Sequence, residues 1–357
     1  MTKPLMVAAL ALTVGLIAVR AQAPTGTPFR IERLDPTLDE IVAPDAALET
    51  LGDHFALTEG PVWVDDDQGG YLLFSDCAAN VIYKWARNRP LSVFLEKSGL
   101  TGSDPSKAGA QTVAGRVAIL LIGSNGLALD AQGRLVVTAM TDRTVYRVEK
   151  TGARTILAER YQGKRFNGPN DVVVKSDGAV YFTDTPWGMR GAEKDPDREL
   201  SFNGFYLIKD GKVTLLGGDK DDPGALPNGI TLSPDERYLY VTAGPHRTVR
   251  YDIRPDDTVA NGHPFVEHGG DGMRVDRRGN LYTVGGGTPG IIQITSPEGK
   301  PLGRLHLPQP AGEPRAHVCA TNVAFGDADN RSLYITACTH LFKLRLKTPG
   351  VRPGQRG

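Results

Sequence analysis

One phrase of sequence recurs six times along the 357 residues of this chain, and no other feature constrains the fold as strongly. Each copy starts with a polar residue and an apolar run, passes through an Asp, Ser or Gly cluster, and returns as a β-branched and aromatic run. This order is typical of a strand, a turn and a second strand. The copies begin at Glu59, Asn125, Asn170, Asn228, Asp271 and Asn322.

The spacing of the copies indicates how the hairpins are assembled. Successive copies begin 43 to 66 residues apart, close to the period of about 40 to 50 residues that four-stranded propeller blades require. Strand-like segments between the hairpins, such as TVYRVEK and GFYLIKD, supply third strands, and RTILAER and KVTLLGG supply fourth strands. We therefore predict an all-β fold, a six-bladed β-propeller with four-stranded blades, over residues 48–347.

The sixth predicted blade lacks a strand, because only LFKLRLK follows its hairpin. The segment LETLGDHFALT, residues 48–58, lies ahead of the first hairpin and could supply the missing strand. Closing the ring in this way would remove the sheet edges that an open array leaves exposed.

The N-terminal segment differs in character from the repeats. Residues 1–23 contain an apolar run from Leu5 to Val19 and end in Ala-Gln-Ala, which predicts a secretory signal peptide. A membrane anchor is disfavoured, because the run is shorter than the roughly 20 residues that span a bilayer. We expect a periplasmic or secreted protein with an N-terminal extension over 24–47 and a C-terminal tail over 348–357.

Charge and cysteine content narrow the classes of partner. The 41 basic and 41 acidic residues cancel, so no footprint for nucleic acid or for an anionic membrane is present, and a small molecule is the expected partner. The oligomeric state stays open. Cys77, Cys319 and Cys338 have no zinc-type spacing and allow at most one disulfide, so we expect them to pack as buried strand residues.

The leading residue of each repeat is the candidate for chemistry. The first strand of a propeller blade lines the central channel, so the six leading side chains should meet there as two carboxylates and four amides. Asn-Gly is also a common turn, which is the structural alternative. A chemical role is favoured because no copy has an apolar or basic residue at this place, and Asn170 and Asn322 are not followed by Gly.

Such a ring of oxygen atoms predicts a metal site. Carboxylate and amide oxygens without His or Cys suit Ca²⁺, although another divalent cation is possible. A cation with open coordination positions can polarise a carbonyl or phosphoryl oxygen and orient a water molecule, which favours hydrolysis. No Gly-x-Ser-x-Gly elbow is present to support a serine nucleophile.

The repeat strings carry a family resemblance that covers almost all of the chain after the N-terminal extension. EGPVW, GSNGLALDAQGRL, GKRFNGPNDVVVKSDGAVYFTD, LPNGITLSPDERYLYV, DGMRVDRRGNLY and TNVAFGDADNRSLYIT together resemble the gluconolactonase family of calcium-dependent six-bladed propellers, which includes senescence marker protein 30. The family is similar in fold to diisopropylfluorophosphatase and, more distantly, to paraoxonase. The resemblance implies a lactone-opening carboxylic-ester hydrolase.

The resemblance also implies roles for individual residues. The metal ligands would be Glu59, Asn170, Asn228 and Asp271, and Asp271 would also act as base or nucleophile. Asn125 and Asn322 would lie beside the metal as outer ligands or as hydrogen-bonding partners of the substrate.

Two departures from the family pattern concern substrate specificity. Thr-Ala-Met-Thr stands at 138–141 where relatives often have Cys-x-His-Gly, so a possible substrate-facing His is missing. TDTPWG stands at 183–188 where Pro-Pro-Tyr-Gly is common, so Trp187 would supply the aromatic wall. Trp63 lies inside an apolar strand and is expected in the core.

Two further features are candidates near the channel. His317 is a candidate substrate contact or proton shuttle, with a structural role as the alternative. Residues 96–123 exceed a normal connection between blades and would form either a lid or a flexible insertion.

Three functions are compatible with these residues. The first is a metal-dependent opening of sugar-type lactones by water, in which Asp271 takes the proton. The second is hydrolysis of organophosphates or aryl esters on the same metal site. The third is a non-enzymatic, ligand-binding propeller with a structural calcium ion, because a fold does not fix a function.

Overall fold

The sequence repeats form short antiparallel strands in the computed structural model, which describes residues 26–113, 117–222, 224–244, 246–285, 290–311 and 318–357. The predicted signal peptide, residues 1–23, and His317 lie outside the described residues. In the described part of the chain, no helix is long and apolar enough to cross a membrane.

Several elements precede the first blade. The N-terminal extension contains β1 (Arg30–Arg33) and the 3₁₀ helix η1 (Pro36–Glu40), and β2 (Leu48–Gly52) follows it. The helix begins at Asp35, whose carboxylate accepts a hydrogen bond from the Thr37 backbone N–H at 2.9 Å and thereby satisfies a donor at the helix start.

The first and second blades are four-stranded antiparallel sheets whose strands run in sequence order from the centre outwards. Blade one consists of β3 (Thr58–Val64), β4 (Tyr71–Asp76), β5 (Val81–Trp85) and β6 (Ser92–Glu96). A hairpin of β7 (Gly109–Val113) and β8 (Val117–Leu121) follows. Blade two consists of β9 (Ser124–Leu129), β10 (Leu135–Ala139), β11 (Thr144–Val148) and β12 (Arg154–Ala158), and the short hairpin of β13 (Arg160–Tyr161) and β14 (Lys164–Arg165) follows it.

The third and fourth blades repeat this plan. Blade three consists of β15 (Pro169–Val174), β16 (Val180–Asp184), β17 (Gly204–Lys209) and β18 (Lys212–Gly218). Two 3₁₀ helices, η2 (Pro186–Gly188) and η3 (Ala192–Lys194), lie in the loop between β16 and β17. Blade four consists of β19 (Pro227–Leu232), β20 (Tyr238–Ala243), β21 (Thr248–Ile253) and β22 (Val259–Val266).

The last two blades include strands that precede the first repeat. Blade five consists of β23 (Met273–Val275), β24 (Leu281–Val284), β25 (Ile291–Thr295) and β26 (Pro301–His306). Blade six consists of β27 (Asn322–Gly326), β28 (Ser332–Ala337) and β29 (His340–Arg345). As predicted, β2 completes blade six: Leu48 lies opposite Leu344 and Thr50 opposite Phe342 on β29.

The prediction of a six-bladed propeller is confirmed, with one difference in strand number. Blade five has five strands, because β1 pairs along the outer edge of β26, with Arg30 opposite His306 and Arg33 opposite Gly303. The sequence of β1, RIER, carries no repeat signature, so its partner could not be deduced from the pattern. The added strand covers an edge that would otherwise be unpaired.

Apolar and aromatic side chains fill the space between neighbouring blades. Trp63 is 3% exposed and stacks on Tyr334 of blade six with ring centroids 5.3 Å apart, so its predicted place in the core is confirmed. Phe182 and Tyr206 of blade three stack in the same manner at 5.2 Å. Stacked aromatic pairs of this kind add roughly 0.5 to 1.5 kcal/mol beyond the burial of their surface.

The innermost strands surround a central channel, and the C-terminal tail lies at one end of it. The innermost strands β3, β9, β15, β19, β23 and β27 each contact the innermost strands of both neighbouring blades. Towards the ends of these strands lies a small cavity of about 80 Å³, which the C-terminal residues 351–355 line from outside. Backbone hydrogen bonds from Arg277 N–H to Pro349 and from Gly357 N–H to Pro234 hold this tail in place.

Candidate metal and active site

The six leading residues of the repeats lie at the start of the innermost strands, at the end of the channel away from the C-terminal tail. Five of them are buried, with exposures between 1% and 8%, while Asp271 is partly exposed. Asn125, Asn170 and Asn228 are each the second residue of their strand, and Asn322 is the first residue of β27.

Irregular strand pairing aims several of these side chains. The pairing of β3 with β4 shifts register between Glu59 and Val62, and the pairing of β15 with β16 shifts between Pro169 and Val172. A similar shift lies between Pro227 and Ile230 in blade four. A bulge re-aims a side chain without ending the strand, and bulges are frequent beside active sites.

Glycines after the leading residues let the inner strands approach one another. A methyl group on Gly126 would lie 2.7 Å from the Cα of Asp171, and one on Gly229 would lie 2.2 Å from the backbone oxygen of Asp271. Both contacts are with the backbone of the next blade and could not be relieved by turning a side chain. The recurring Asn-Gly pairs therefore reflect close approach of the strands.

Four of the six side chains interact across the channel. The Asn322 side chain lowers the pKa of Glu59 and the Asn228 side chain lowers the pKa of Asp271, while the carboxyl groups of Glu59 and Asp271 also act on each other. Glu59 accepts a hydrogen bond from the Gly60 N–H at 2.8 Å. The structure thus brings together side chains from blades one, four, five and six.

The two remaining leading residues lie at the same level on blades two and three. Asn125 donates a hydrogen bond from Nδ2 to the Met140 sulfur at 3.6 Å, which places Met140 against the ring. Met140, which stands where relatives often have His, is thus a fully buried thioether beside Asn125. Asn170 is 3% exposed, and its backbone oxygen is held by the neighbouring blade.

Burial and like charge raise the affinity of the ring carboxylates for protons. Burial is the main cause of the rise in the pKa of Asp271 to about 7; the nearby charge of Asp171 raises it further, whereas the hydrogen bond from Asn228 lowers it. Burial also raises the pKa of Glu59 well above its ordinary value, and the charge of Asp271 adds to the effect. The two carboxyl groups therefore require either a proton or a cation between them.

A third acid, which was not singled out from the sequence and which is buried, lies directly next to the ring. Asp171 is 1% exposed; it accepts a hydrogen bond from the Ile230 N–H at 3.2 Å and lies 3.5 Å from the Arg274 guanidinium. Burial raises its pKa, and Arg274 acts in the opposite direction. An acid after Asn170, in the place that Gly takes in four of the other copies, was the signal for this residue.

The donor set fits a divalent cation. Oδ1 of Asn125 and Oδ1 of Asn228 are buried acceptors without a hydrogen-bond partner among the described residues, although buried polar atoms are ordinarily paired. When all three acids are ionised, Glu59, Asp271 and Asp171 with Arg274 leave a net charge of −2. No group of three His, Cys, Asp or Glu side chains able to hold a metal occurs in the described residues, so amide oxygens would complete any such site.

An apolar cluster borders the ring on the side of the long connection after β6. It contains Leu57, Cys77, Leu121 and Met140, with Trp187 packed against it and partly buried. The connection is not an unstructured insertion, since its β7–β8 hairpin docks on the loop that carries Trp187. Gly109 lies so close that a methyl group there would overlap the Trp187 carbonyl.

The cysteines depart in part from the expectation of simple buried packing. Cys319 and Cys338 form a disulfide that ties the segment before Asn322 to the end of β28. Cys77 is a free, fully buried thiol, as expected, and burial raises its pKa well above the ordinary value. A thiol in this state is not a nucleophile.

Comparison with known proteins agrees with the geometry of the fold. Residues 57–339 match the family model described as SMP-30/Gluconolactonase/LRE-like region. A protein from Zymomonas mobilis named gluconolactonase is 32% identical over 367 aligned residues, covering 97% of this chain and 94% of that protein.

Solved structures give the same result. A gluconolactonase from Xanthomonas campestris has a TM-score of 0.71 and 28% identity, covering 92% of this chain and 99% of its own. Regucalcin from Agrobacterium tumefaciens, described as a calcium-binding protein, has a TM-score of 0.64 and 18% identity, covering 87% and 98%. At that identity the likeness to regucalcin is one of fold.

Proposed function

This chain belongs to the SMP-30/gluconolactonase/LRE-like family, and on that premise we propose that it hydrolyses sugar-type lactones with a divalent cation. The full-length similarity to a gluconolactonase supports the reaction class. The observation that carries the proposal is the pair of carboxyl groups of Glu59, which is buried, and Asp271, which is partly exposed, beside Asn322 and Asn228 at one end of the channel.

Calcium is the cation that this donor set favours. Glu59, Asn170, Asn228 and Asp271 would hold it, because flexible sets of carboxylate and amide oxygens suit Ca²⁺ better than Mg²⁺. The orphaned Oδ1 atom of Asn228 and the net charge of −2 support this assignment. A bound calcium ion would polarise the lactone carbonyl and stabilise the negative charge that develops on its oxygen.

Asp271 is the residue best placed to accept a proton from the attacking water. Burial raises its pKa in the metal-free protein, and a bound cation would lower that pKa, so that the carboxylate would be ionised and able to accept a proton at neutral pH. Water adds its oxygen to the carbonyl carbon and the ring C–O bond breaks. The proton taken by Asp271 then passes to the alkoxide that leaves, so that the product is a hydroxy acid.

Other residues of the mouth would position the substrate. Asn125 has a free buried acceptor for a substrate hydroxyl group, and Asn322 lies next to Glu59. Trp187 would form an aromatic wall on the loop where the β7–β8 hairpin docks. Residues 96–123, which contain this hairpin, would act as a lid over the substrate. His317, a predicted substrate contact, lies outside the described residues.

The reaction is tested with purified protein on a panel of aldonolactones, aryl esters and phosphotriesters, before and after calcium is removed and restored. We expect lactone hydrolysis that depends on the cation, and a loss of about 10²-fold to 10⁴-fold in kcat for Asp271→Asn. Asp256→Asn, a change at an exposed turn, is the matched control and should be neutral.

Three results of this panel would redirect the assignment. Near-normal lactone turnover by Asp271→Asn would remove that residue from catalysis. A preference for phosphotriesters or aryl esters would favour the second candidate function. Loss of the fold on calcium removal, with no turnover of any ester, would indicate a structural cation in a binding protein.

We also propose export to the periplasm or the medium. The Cys319–Cys338 disulfide supports this, since stable disulfides form in oxidising compartments. Cell fractionation and the intact mass of the mature protein test it: cleavage after residue 23 is expected, and an uncleaved cytosolic product would contradict it.

A further inference from the structure

A residue with a side-chain hydroxyl group recurs near the end of the second strand of every blade. All six are fully buried, although a buried β-branched position could equally hold Val, which favours strands. A buried hydroxyl group ordinarily requires a hydrogen-bond partner. The residues are Ser75, Thr138, Thr183, Thr242, Thr283 and Thr336.

Two of these hydroxyl groups link one blade to the leading residue of the next. Thr138 of blade two accepts a hydrogen bond from the Gly126 N–H at 2.8 Å and donates one to the backbone oxygen of Asn170 in blade three. Thr183 of blade three accepts from the Asp171 N–H at 3.0 Å and donates to the backbone oxygen of Asn228 in blade four at 2.7 Å.

The same position in the other blades makes no hydrogen bond to the backbone oxygen of the next leading residue among the described residues. Thr242 reaches Gly229 within its own blade at the limiting distance of 3.5 Å, and Thr336 reaches Asn322 within its own blade at 3.2 Å. The Thr283 hydroxyl group is buried and has no hydrogen-bond partner among the described residues. Among these six described hydroxyl groups, the link to the backbone oxygen of the next leading residue thus occurs at the two asparagines that are proposed as metal ligands, whereas Ser75 of blade one reaches blade two through the Ser124 hydroxyl group at 2.7 Å.

We propose that Thr138 and Thr183 are positioning residues for the cation site, an inference that rests on the proposed function. Each hydroxyl group fixes the main chain of an asparagine whose side-chain oxygen must point into the channel. The irregular pairing at the start of β15 and β19 leaves both asparagines without the regular ladder that would otherwise hold them. The threonine therefore supplies the constraint that the bulge removes.

The experiment compares Thr138→Val and Thr183→Val with wild type in the full-length purified protein. Valine keeps the shape of threonine and removes the hydroxyl group. Thr283→Val is the matched control, since it makes the same change at the equivalent place where the hydroxyl group has no partner. Thr183→Ser restores the hydroxyl group and tests rescue.

Two quantities are measured: the affinity for Ca²⁺ by calorimetry of metal-free protein, and the unfolding temperature in EDTA. We expect each of the two valine variants to bind calcium about fivefold to tenfold more weakly, the loss that one hydrogen bond of about 1 kcal/mol represents. Thr183→Ser should lie within about twofold of wild type, and Thr283→Val should be unchanged.

Three outcomes would overturn the inference. Unchanged calcium affinity in Thr138→Val and Thr183→Val, even with a lower unfolding temperature, would mean that the hydroxyl groups only stabilise the fold. An equal loss in Thr283→Val would mean that valine is harmful at this position in any blade. If a valine variant does not fold, Thr183→Ala makes the same comparison. Absence of calcium binding by wild type would refute the proposed cation site itself, together with the positioning role.

Discussion

Replacing Asp271 by Asn should stabilise the metal-free protein while it removes catalysis. The carboxyl group has a pKa of about 7, against an ordinary value of 3.8, so keeping it ionised in the folded protein costs at most about 4 kcal/mol. Partial exposure of Asp271 to solvent lowers this figure, because water screens its charge. An amide carries no charge and can still donate a hydrogen bond to Glu59.

The effect must depend on pH in one direction. A carboxyl group whose folded-state pKa is raised binds a proton more tightly in the folded than in the unfolded protein between about pH 4 and pH 7. Wild type therefore loses stability relative to the variant as pH rises through this window. The difference should be near zero at pH 4 and largest above pH 7.

The assay is thermal and urea unfolding of both proteins in EDTA at pH 4, 6 and 8. A gain of about 1 to 4 kcal/mol at pH 8 corresponds to roughly 2 °C in Tm per kcal/mol for a protein of this size. Addition of calcium should narrow the difference, because wild type gains about 2.7 kcal/mol at a hundred times its Kd and the variant gains less. A variant that is less stable than wild type in EDTA at pH 8, or a difference independent of pH, would refute the reasoning.

Three further predictions concern the site and its frame. Calcium affinity should strengthen between pH 5 and pH 8, because protons compete for the two ring carboxylates, and a flat calorimetric profile would contradict it. Gly126→Ala should lower the free energy of unfolding in urea by about 1 to 3 kcal/mol, because the added methyl group overpacks against Asp171. Gly102→Ala should lower it little, since only Leu100 comes within 4 Å of the added methyl group. Equal losses in the two variants would argue against a close approach of the strands at Gly126. Changing both Cys319 and Cys338 to Ser should cost about 3 kcal/mol, since the disulfide closes 19 residues, and a loss below about 1 kcal/mol would contradict this.

The architecture was readable from the sequence because each blade repeats the same local signals. Apolar runs, Asp and Gly turns and aromatic returns fix the strands, and the shared register fixes the number of blades. Even the strand that completes blade six could be identified, since the sixth repeat is one strand short. β1 could not be placed, because pairing along an outer edge leaves no period in RIER.

The site was predictable only in part, because the repeat identifies some of its residues and not the others. The leading residues of the repeats can be recognised by aligning the six copies. Residues that act through them are far apart in sequence and become neighbours only in the folded ring. Asp171 meets Arg274 across two blades, and Thr138 reaches Asn170 across one. The disulfide, likewise, joins a loop to a strand end, and three cysteines allow three different pairings.

The pairing of β2 with β29 sets the order in which the molecule can be completed. Residues 48–52 pair with residues 341–344, which come far later in the sequence. Contacts this distant in sequence slow folding, because a long chain segment must be closed before they form. Strand β2 must therefore stay unpaired, and able to pair with a wrong strand, until β29 is available to it.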